Sequence, residues 1–442
     1  GFPAPSSDYK ILYLLPGVIL YLSNLGKDYS SAVHILGVSS TLLFLHFSFF
    51  FVVGTVSVSS IIRPILYVIT IFAITMIFIT NLLKRNRILN LWILNFDMFF
   101  IPKEDLNYAV QGLSCHEEVF KNKTFLITGG TGFIGKWLVA TLHQLNSENN
   151  FNIKIYILTR NKKLFIDKFI ECLPKENIHF IETDIRSLNN LENFEIDFDY
   201  IVLGANDATY DFSLNLETLS KTLISGTFNL FKTFVTTKTK SIIHLSSGAV
   251  YGDISKYKNG ARETDHSLID INNIGSMYGL SKALVESILN QFGDQNNIDI
   301  INARCFAFVG PYLPLDKHFA IGNFINDCIN SRPILVNGNG SPVRSYMYAS
   351  DMARAILLSL VQKKSMAINI GSDKQISIED LAKLVSKTLE NNDVIIKDKR
   401  SIHPEKANYY LPDITLLKSL GYKESYDLKS SITKTYKFYK DF

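Results

Sequence analysis

Cysteine is scarce in this chain of 442 residues: Cys115, Cys172, Cys305 and Cys328 are scattered, and no two stand at metal-ligand spacing. That pattern speaks against a metal site and a disulfide framework, and fits free thiols in a reducing compartment. An excess of one charge is also lacking. Charged residues make up 19% of the sequence and the net charge is +4. No basic stripe with interleaved aromatics appears, so nucleic acid is not an expected partner. The length is too great for one ordinary domain and predicts two or three.

Charge is almost missing from three stretches near the N-terminus. Tyr9–Leu25, Ala32–Val56 and Ile61–Leu83 are apolar runs of the roughly 17–25 residues that cross a bilayer core. Arg63 lies near one end of the third, where it can snorkel. Lys84, Arg85 and Arg87 follow at once, a cluster that favours the cytoplasmic side. The expectation is three transmembrane-like helices within residues 1–93, attaching a cytoplasmic catalytic part to the inner (plasma) membrane through residues 9–83. Pro16 and Gly17 weaken the first run, and the cleavage site of a signal peptide is absent. The first residue is Gly1 rather than methionine, so the native start is expected upstream. Residues 94–120 read as a polar, helix-like lead-in.

The stretch around which the rest is organised is Thr124 to Leu138, TFLITGGTGFIGKWL. A short apolar strand stops in glycines and passes into an apolar-periodic helix, expected from Trp137 to Leu145. The free N–H groups at the start of that helix, with its dipole, favour a pyrophosphate. Gly129 permits the tight turn, Gly132 lets the backbone approach phosphate and Gly135 lets helix and strand pack closely. Thr131, Phe133 and Ile134 complete the cradle. The second strand, Lys154–Leu158, ends near Arg160, with no acid for a ribose 2′-hydroxyl. An arginine there suits a 2′-phosphate, which favours NADP and leaves NAD open. A third strand, Ile178–Glu182, is followed by Asp184 and Ile185 at the adenine edge. A fourth, Tyr200–Leu203, ends in Gly204, Ala205 and Asn206, small residues beside the cofactor. A fifth, Ser241–Leu245, runs into Ser246 and Ser247. Helical patterns at Leu216–Val235 and Tyr278–Phe292 alternate with the strands, which predicts an α/β fold on a parallel sheet.

Tyr278 and Lys282 stand four residues apart, on one helix face. The ammonium favours the phenolate, so the pair can take a proton from a hydroxyl while its carbon gives up hydride. Ser247 would hydrogen-bond the same oxygen.

Together TGGTGFIG, SSGAVYG, YGLSK, RCFAFVGPYLP and VRSYMYASDMARAI resemble the extended short-chain dehydrogenase/reductase family, in its nucleotide-sugar branch. The resemblance runs from about Glu104 to the C-terminus. It implies a Rossmann-type cofactor domain over residues 121–305 and a smaller substrate domain over 306–442, with part of 252–276. It makes Ser247, Tyr278 and Lys282 the catalytic set, with Tyr278 and Lys282 also on the cofactor. It puts Arg344 on the pyrophosphate of the sugar nucleotide, and Asn323 on its phosphate or sugar. A homodimer is allowed. Dehydratases of the family carry Asp-Glu after the catalytic residue and decarboxylases a Glu in the same loop. Here Gly248-Ala249 stand there. What remains is epimerisation at carbon 4 of an NDP-hexose, or reduction of a 4-keto sugar. A degenerate dinucleotide-binding subunit, and a reductase of non-sugar carbonyls on the same scaffold, are the other readings.

Overall fold

The computed structural model describes residues 101–165, 177–188, 195–205, 216–317, 319–390, 393–397 and 408–440, all within the compact unit Asn95–Phe442. The three apolar runs of residues 9–83, and with them the membrane attachment, lie outside the described residues, as does Asn206. Among the described residues no helix is long and apolar enough to cross a membrane.

Seven strands form one parallel sheet: β1 (Thr124–Thr128), β2 (Lys154–Thr159), β3 (Ile178–Glu182), β4 (Tyr200–Leu203), β5 (Ser241–Ser247), β6 (Asp299–Cys305) and β7 (Met366–Ile370), in the order β7-β6-β5-β4-β1-β2-β3. Their short apolar runs are buried on both faces, as parallel strands under helical crossovers must be; β4 and β5 are buried along their whole length. The order reverses between β1 and β4, which leaves a crevice at their carboxyl ends.

The crossovers are helical. They include α2 (Phe133–Asn149), α3 (Gly226–Phe234), α4 (Met277–Asn296) and α6 (Ala349–Leu358), while α1 (Lys103–Val110) precedes the sheet and α5 (Ala320–Ile329), α7 (Ile378–Thr388) and α8 (Leu428–Lys440) belong to the C-terminal part. One apolar layer joins Trp137, Leu138 and Leu142 to Met352 and Ile356. The other joins Leu230 and Phe234 to Val285 and Leu289. Each fully buried side chain of this size contributes about 1.5–3 kcal/mol.

Four features differ from the sequence reading. The inner strand β6, Asp299–Cys305, was not among the five expected strands. Helix α2 begins at Phe133, so Phe133, Ile134 and Gly135 form its first turn rather than a loop. The helix expected over Leu216–Val235 contains a π turn, Lys221–Ser225. The edge strand β7 comes from beyond Cys305, where the cofactor domain was expected to end. Helix α6 returns the chain to the sheet in the parallel crossover sense, and Met366–Ile370 pairs with Ile301–Cys305.

The lead-in is folded. Helix α1 buries Leu106, Ala109 and Val110. Its Asp105, also buried, accepts from Tyr348 Oη at 2.6 Å and pairs with Lys434 Nζ of α8 at 2.9 Å. A buried carboxylate without such partners would cost several kcal/mol. In the C-terminal part, Ser377 caps α7, accepting from Asp380 N at 3.0 Å. The strand Val343–Ser345 lies between Gln375–Ser377 and Tyr409–Tyr410.

Candidate active site

The glycine turn is shaped by contacts that leave no room for side chains. Gly129 has φ +72°, and a Cβ there would lie 2.4 Å from the Gly204 carbonyl oxygen. A Cβ on Gly135 would lie 2.2 Å from the Gly129 oxygen. Gly132 differs: among the described residues its Cβ would meet only the Gly129 oxygen, at 3.4 Å. Its missing side chain therefore clears the outer side, above the start of α2. Gly132 is also the N-cap of that helix, and no side chain caps the turn. The arrangement fits an anion such as a dinucleotide pyrophosphate. Thr128 fastens the floor of the crevice. Its Oγ1 donates to Val202 O at 3.1 Å and accepts from Gly204 N and Ala205 N at 3.0 and 3.1 Å.

At the far end of the crevice Arg160 is exposed just after β2. Asp184 accepts from Arg186 Nη2 at 2.6 Å and from Arg186 N at 2.9 Å. The guanidinium holds its carboxyl below the usual range, with a smaller contribution from Arg160. Ile185 packs its buried side chain over Gly226.

β5 ends at Ser247, whose Oγ accepts from Ala249 N at 3.1 Å. The following turn, Gly248–Tyr251, receives α4 directly: a Cβ on Gly279 would lie 2.4 Å from the Ala249 oxygen. That close approach brings the first turn of α4, with half-buried Tyr278, against the serine turn. Lys282 is 2% exposed and donates to Leu245 O at 2.6 Å. Burial pulls its pKa down to about 8, against the opposing influence of Cys305 and Glu286.

Arg344 lies half-buried on the strand Val343–Ser345. Its Nη1 donates to Val343 O and Asn408 O, both at 2.8 Å, and burial lowers its pKa. Asn323 is half-buried in the first turn of α5. Ser247 and Arg344 are linked by a residue the sequence did not suggest. Tyr410 places its hydroxyl 3.5 Å from Ser247 Oγ, while the Arg344 guanidinium lies 5.6 Å from its ring centre. Its ring packs on Phe306 with centres 4.8 Å apart. A Cβ on Gly248 would meet both the Phe306 ring and the Tyr410 hydroxyl at 2.7 Å. The only sequence signal was an aromatic doublet, Tyr409-Tyr410, far from Ser247 in the chain. Glu286 was also missed, although it continues the Tyr278–Lys282 spacing by one further turn.

A family model described as "NAD dependent epimerase/dehydratase family" matches residues 125–371, more than half of the chain. UDP-glucuronic acid decarboxylase 6 of Arabidopsis thaliana is 27% identical over 315 residues, covering 70% of this chain and 87% of that protein. Vestitone reductase of Medicago sativa is 27% identical over 324 residues, covering 69% and 92%. Among solved structures, the UDP-N-acetylglucosamine 4-epimerase of Methanobrevibacter ruminantium M1, in complex with UDP-N-acetylmuramic acid, superposes with a TM-score of 0.61. It is 24% identical and covers 72% of this chain and 98% of its own, a likeness of fold. Relatives this different in chemistry leave the reaction to be argued from the residues.

Proposed function

Because the chain belongs to the NAD dependent epimerase/dehydratase family, among the extended short-chain dehydrogenase/reductase enzymes, we propose that it works at carbon 4 of an NDP-hexose, as an epimerase or a 4-keto reductase. Gly129, Thr131, Gly132, Phe133, Ile134 and Gly135 would hold the cofactor pyrophosphate. Gly204, Ala205 and Asn206 would flank it, and Arg160, Asp184 and Ile185 would meet the adenosine. Exposed Arg160 supports NADP over NAD; comparing the two affinities for wild type and Arg160→Ala tests this. The bound nicotinamide supplies a hydride acceptor or donor.

The chain's own residues move the proton. Lys282, cationic at neutral pH with its pKa near 8, favours the phenolate of Tyr278. That phenolate takes the proton of the carbon 4 hydroxyl, or returns it to a 4-keto oxygen, and Ser247 hydrogen-bonds the same oxygen. Arg344 would pair with the substrate pyrophosphate. The reading is carried by Gly248. The loop has no acid there, and the space a side chain would enter is filled by Phe306 and Tyr410. Expulsion of a neighbouring hydroxyl therefore lacks its proton donor on this loop.

The substrate side is assigned to residues 306–442 and the cofactor side to 121–305 with β7. Exposed Phe228 on α3 and Leu284 on α4 support a homodimer, which sedimentation of dilute protein tests. The hydropathy of residues 9–83 supports membrane attachment, tested by fractionating the full chain with and without detergent. The reaction itself is tested with UDP- and dTDP-hexoses plus NAD, NADH or NADPH. Isomerised sugar without net cofactor change identifies an epimerase, and net cofactor oxidation a reductase. A pentose with carbon dioxide, or a 6-deoxy-4-keto sugar, overturns the proposal.

A further inference from the structure

We propose that Glu286 is a positioning residue for this reaction: it locks the helix bearing Tyr278 and Lys282 onto the end of β5 and supplies the fixed negative charge that the Lys282 ammonium depends on. The inference rests on the Tyr278/Lys282 reading above.

Tyr278, Lys282 and Glu286 are each four residues apart, so they share one face of α4. Two successive residues of β5 are gripped by two successive turns of that face. Lys282 Nζ donates to Leu245 O at 2.6 Å, and Ser246 Oγ donates to Glu286 Oε1 at 2.5 Å. The next residue of β5 is Ser247. The Ser246–Glu286 distance is that of a hydroxyl bonded to a carboxylate, among the stronger hydrogen bonds. Glu286 is itself clamped by Arg304 of β6, through Nη2 at 2.8 Å and Nε at 3.1 Å. Arg304 continues to Tyr251 Oη at 2.9 Å, and Tyr251 to Asn369 Oδ1 of β7 at 2.7 Å. The carboxylate is 6% exposed, so solvent screens it little. Rotation of α4 about its axis would break this chain of bonds and carry Tyr278 with it.

Among the described residues the titratable groups acting on Lys282 come from three elements, β5, β6 and α4 itself, where Tyr278 stands one turn before it. From β6 comes Cys305, whose thiol burial pushes to about 12, so it is neutral where enzymes work. From β5 comes His244, which burial drives well below its usual value and keeps neutral too. From α4 itself comes Glu286. Arg304 opposes it in part, but Glu286 is the negative charge in the set. Without it, burial acts on Lys282 with less opposition.

Glu286→Gln keeps the size, and its amide oxygen can still accept from Ser246 and Arg304 Nε; the bond from Arg304 Nη2 and the charge are lost. The readout is NAD affinity by calorimetry from neutral to alkaline pH, with thermal unfolding as the check on folding. In wild type the affinity falls as Lys282 loses its proton, with a midpoint near 8. Lys282→Met should abolish that transition. In Glu286→Gln the midpoint should fall by roughly one pH unit. A folded Glu286→Gln with the wild-type midpoint overturns the proposal, as does a transition that survives in Lys282→Met. If Glu286→Gln does not fold, Glu286→Asp withdraws the carboxylate by one methylene; a smaller shift in the same direction is expected, and no shift overturns the proposal. Tyr278→Phe keeps the two readings apart. If it retains full turnover, the base assignment fails. If it is inactive while Glu286→Gln titrates like wild type, this inference alone fails.

Discussion

Lys282 and Arg344 are the two cations of the proposed reaction, and the fold holds them in different ways. Lys282 is 2% exposed in the seam between α4 and β5, committed to a backbone carbonyl, with Glu286 and Arg304 behind it. Arg344 is half-buried on a three-residue strand, fixed through Nη1 to two carbonyls. In the proposed reaction the lysine has to keep one position and one protonation state while a proton moves beside it. The arginine would receive a ligand, and a guanidinium can do so without risk of losing its charge. The proposal thus puts chemistry in a closed polar seam and recognition on a short ribbon.

The sharpest way to break that comparison is at the seam. Tyr278→Phe should lower kcat on the accepted sugar by about 10²–10⁴-fold, the usual range for removing a general base, with little change in KM. Next comes the ribbon: Arg344→Ala should raise KM by roughly 10–100-fold, as loss of a charged hydrogen bond implies, with kcat changed far less. A kcat effect equal to that of Tyr278→Phe would erase the distinction between the two regions. Tyr410→Phe touches both regions and should cost a few-fold in kcat, at about 1 kcal/mol for a neutral hydrogen bond. Unchanged kinetics would mean that its hydroxyl only fills the space beside Gly248.

A separate test reads stability rather than turnover. The folded pKa of Lys282, about 8, lies below the unfolded value of about 10.4. Between the two the unfolded chain binds a proton that the folded one lacks, so stability rises with pH across that window and is lost as pH falls back through about 8. Denaturant unfolding should therefore show wild type gaining on Lys282→Met as pH is raised through this range. A flat difference would place the lysine in a less buried setting.

The cofactor half was largely legible in the sequence because its signals are local. Strand, glycine turn and helix follow one another within Thr124–Leu138, and Gly129 and Gly135 sit against backbone atoms. The linkage of Ser247 to Arg344 was not readable, because Tyr410 reaches the serine across most of the C-terminal part, through short strands of two or three residues. Strands that short carry too little periodicity to be seen. β7 was missed as a sheet member because parallel pairing is decided by a crossover, not by neighbours in sequence. The role of Asp105 was hidden for a related cause: its partners Tyr348 and Lys434 come from distant segments.

The most direct test is a single-turnover reaction of the NAD-loaded enzyme with UDP-glucose, UDP-N-acetylglucosamine or dTDP-glucose, each deuterated at carbon 4 or not, followed by nicotinamide absorbance and product NMR. The account predicts that deuterium at carbon 4 slows the absorbance transient in wild type and that Tyr278→Phe shows no transient. A transient indifferent to deuterium at carbon 4, or one retained at full rate in Tyr278→Phe, would contradict it.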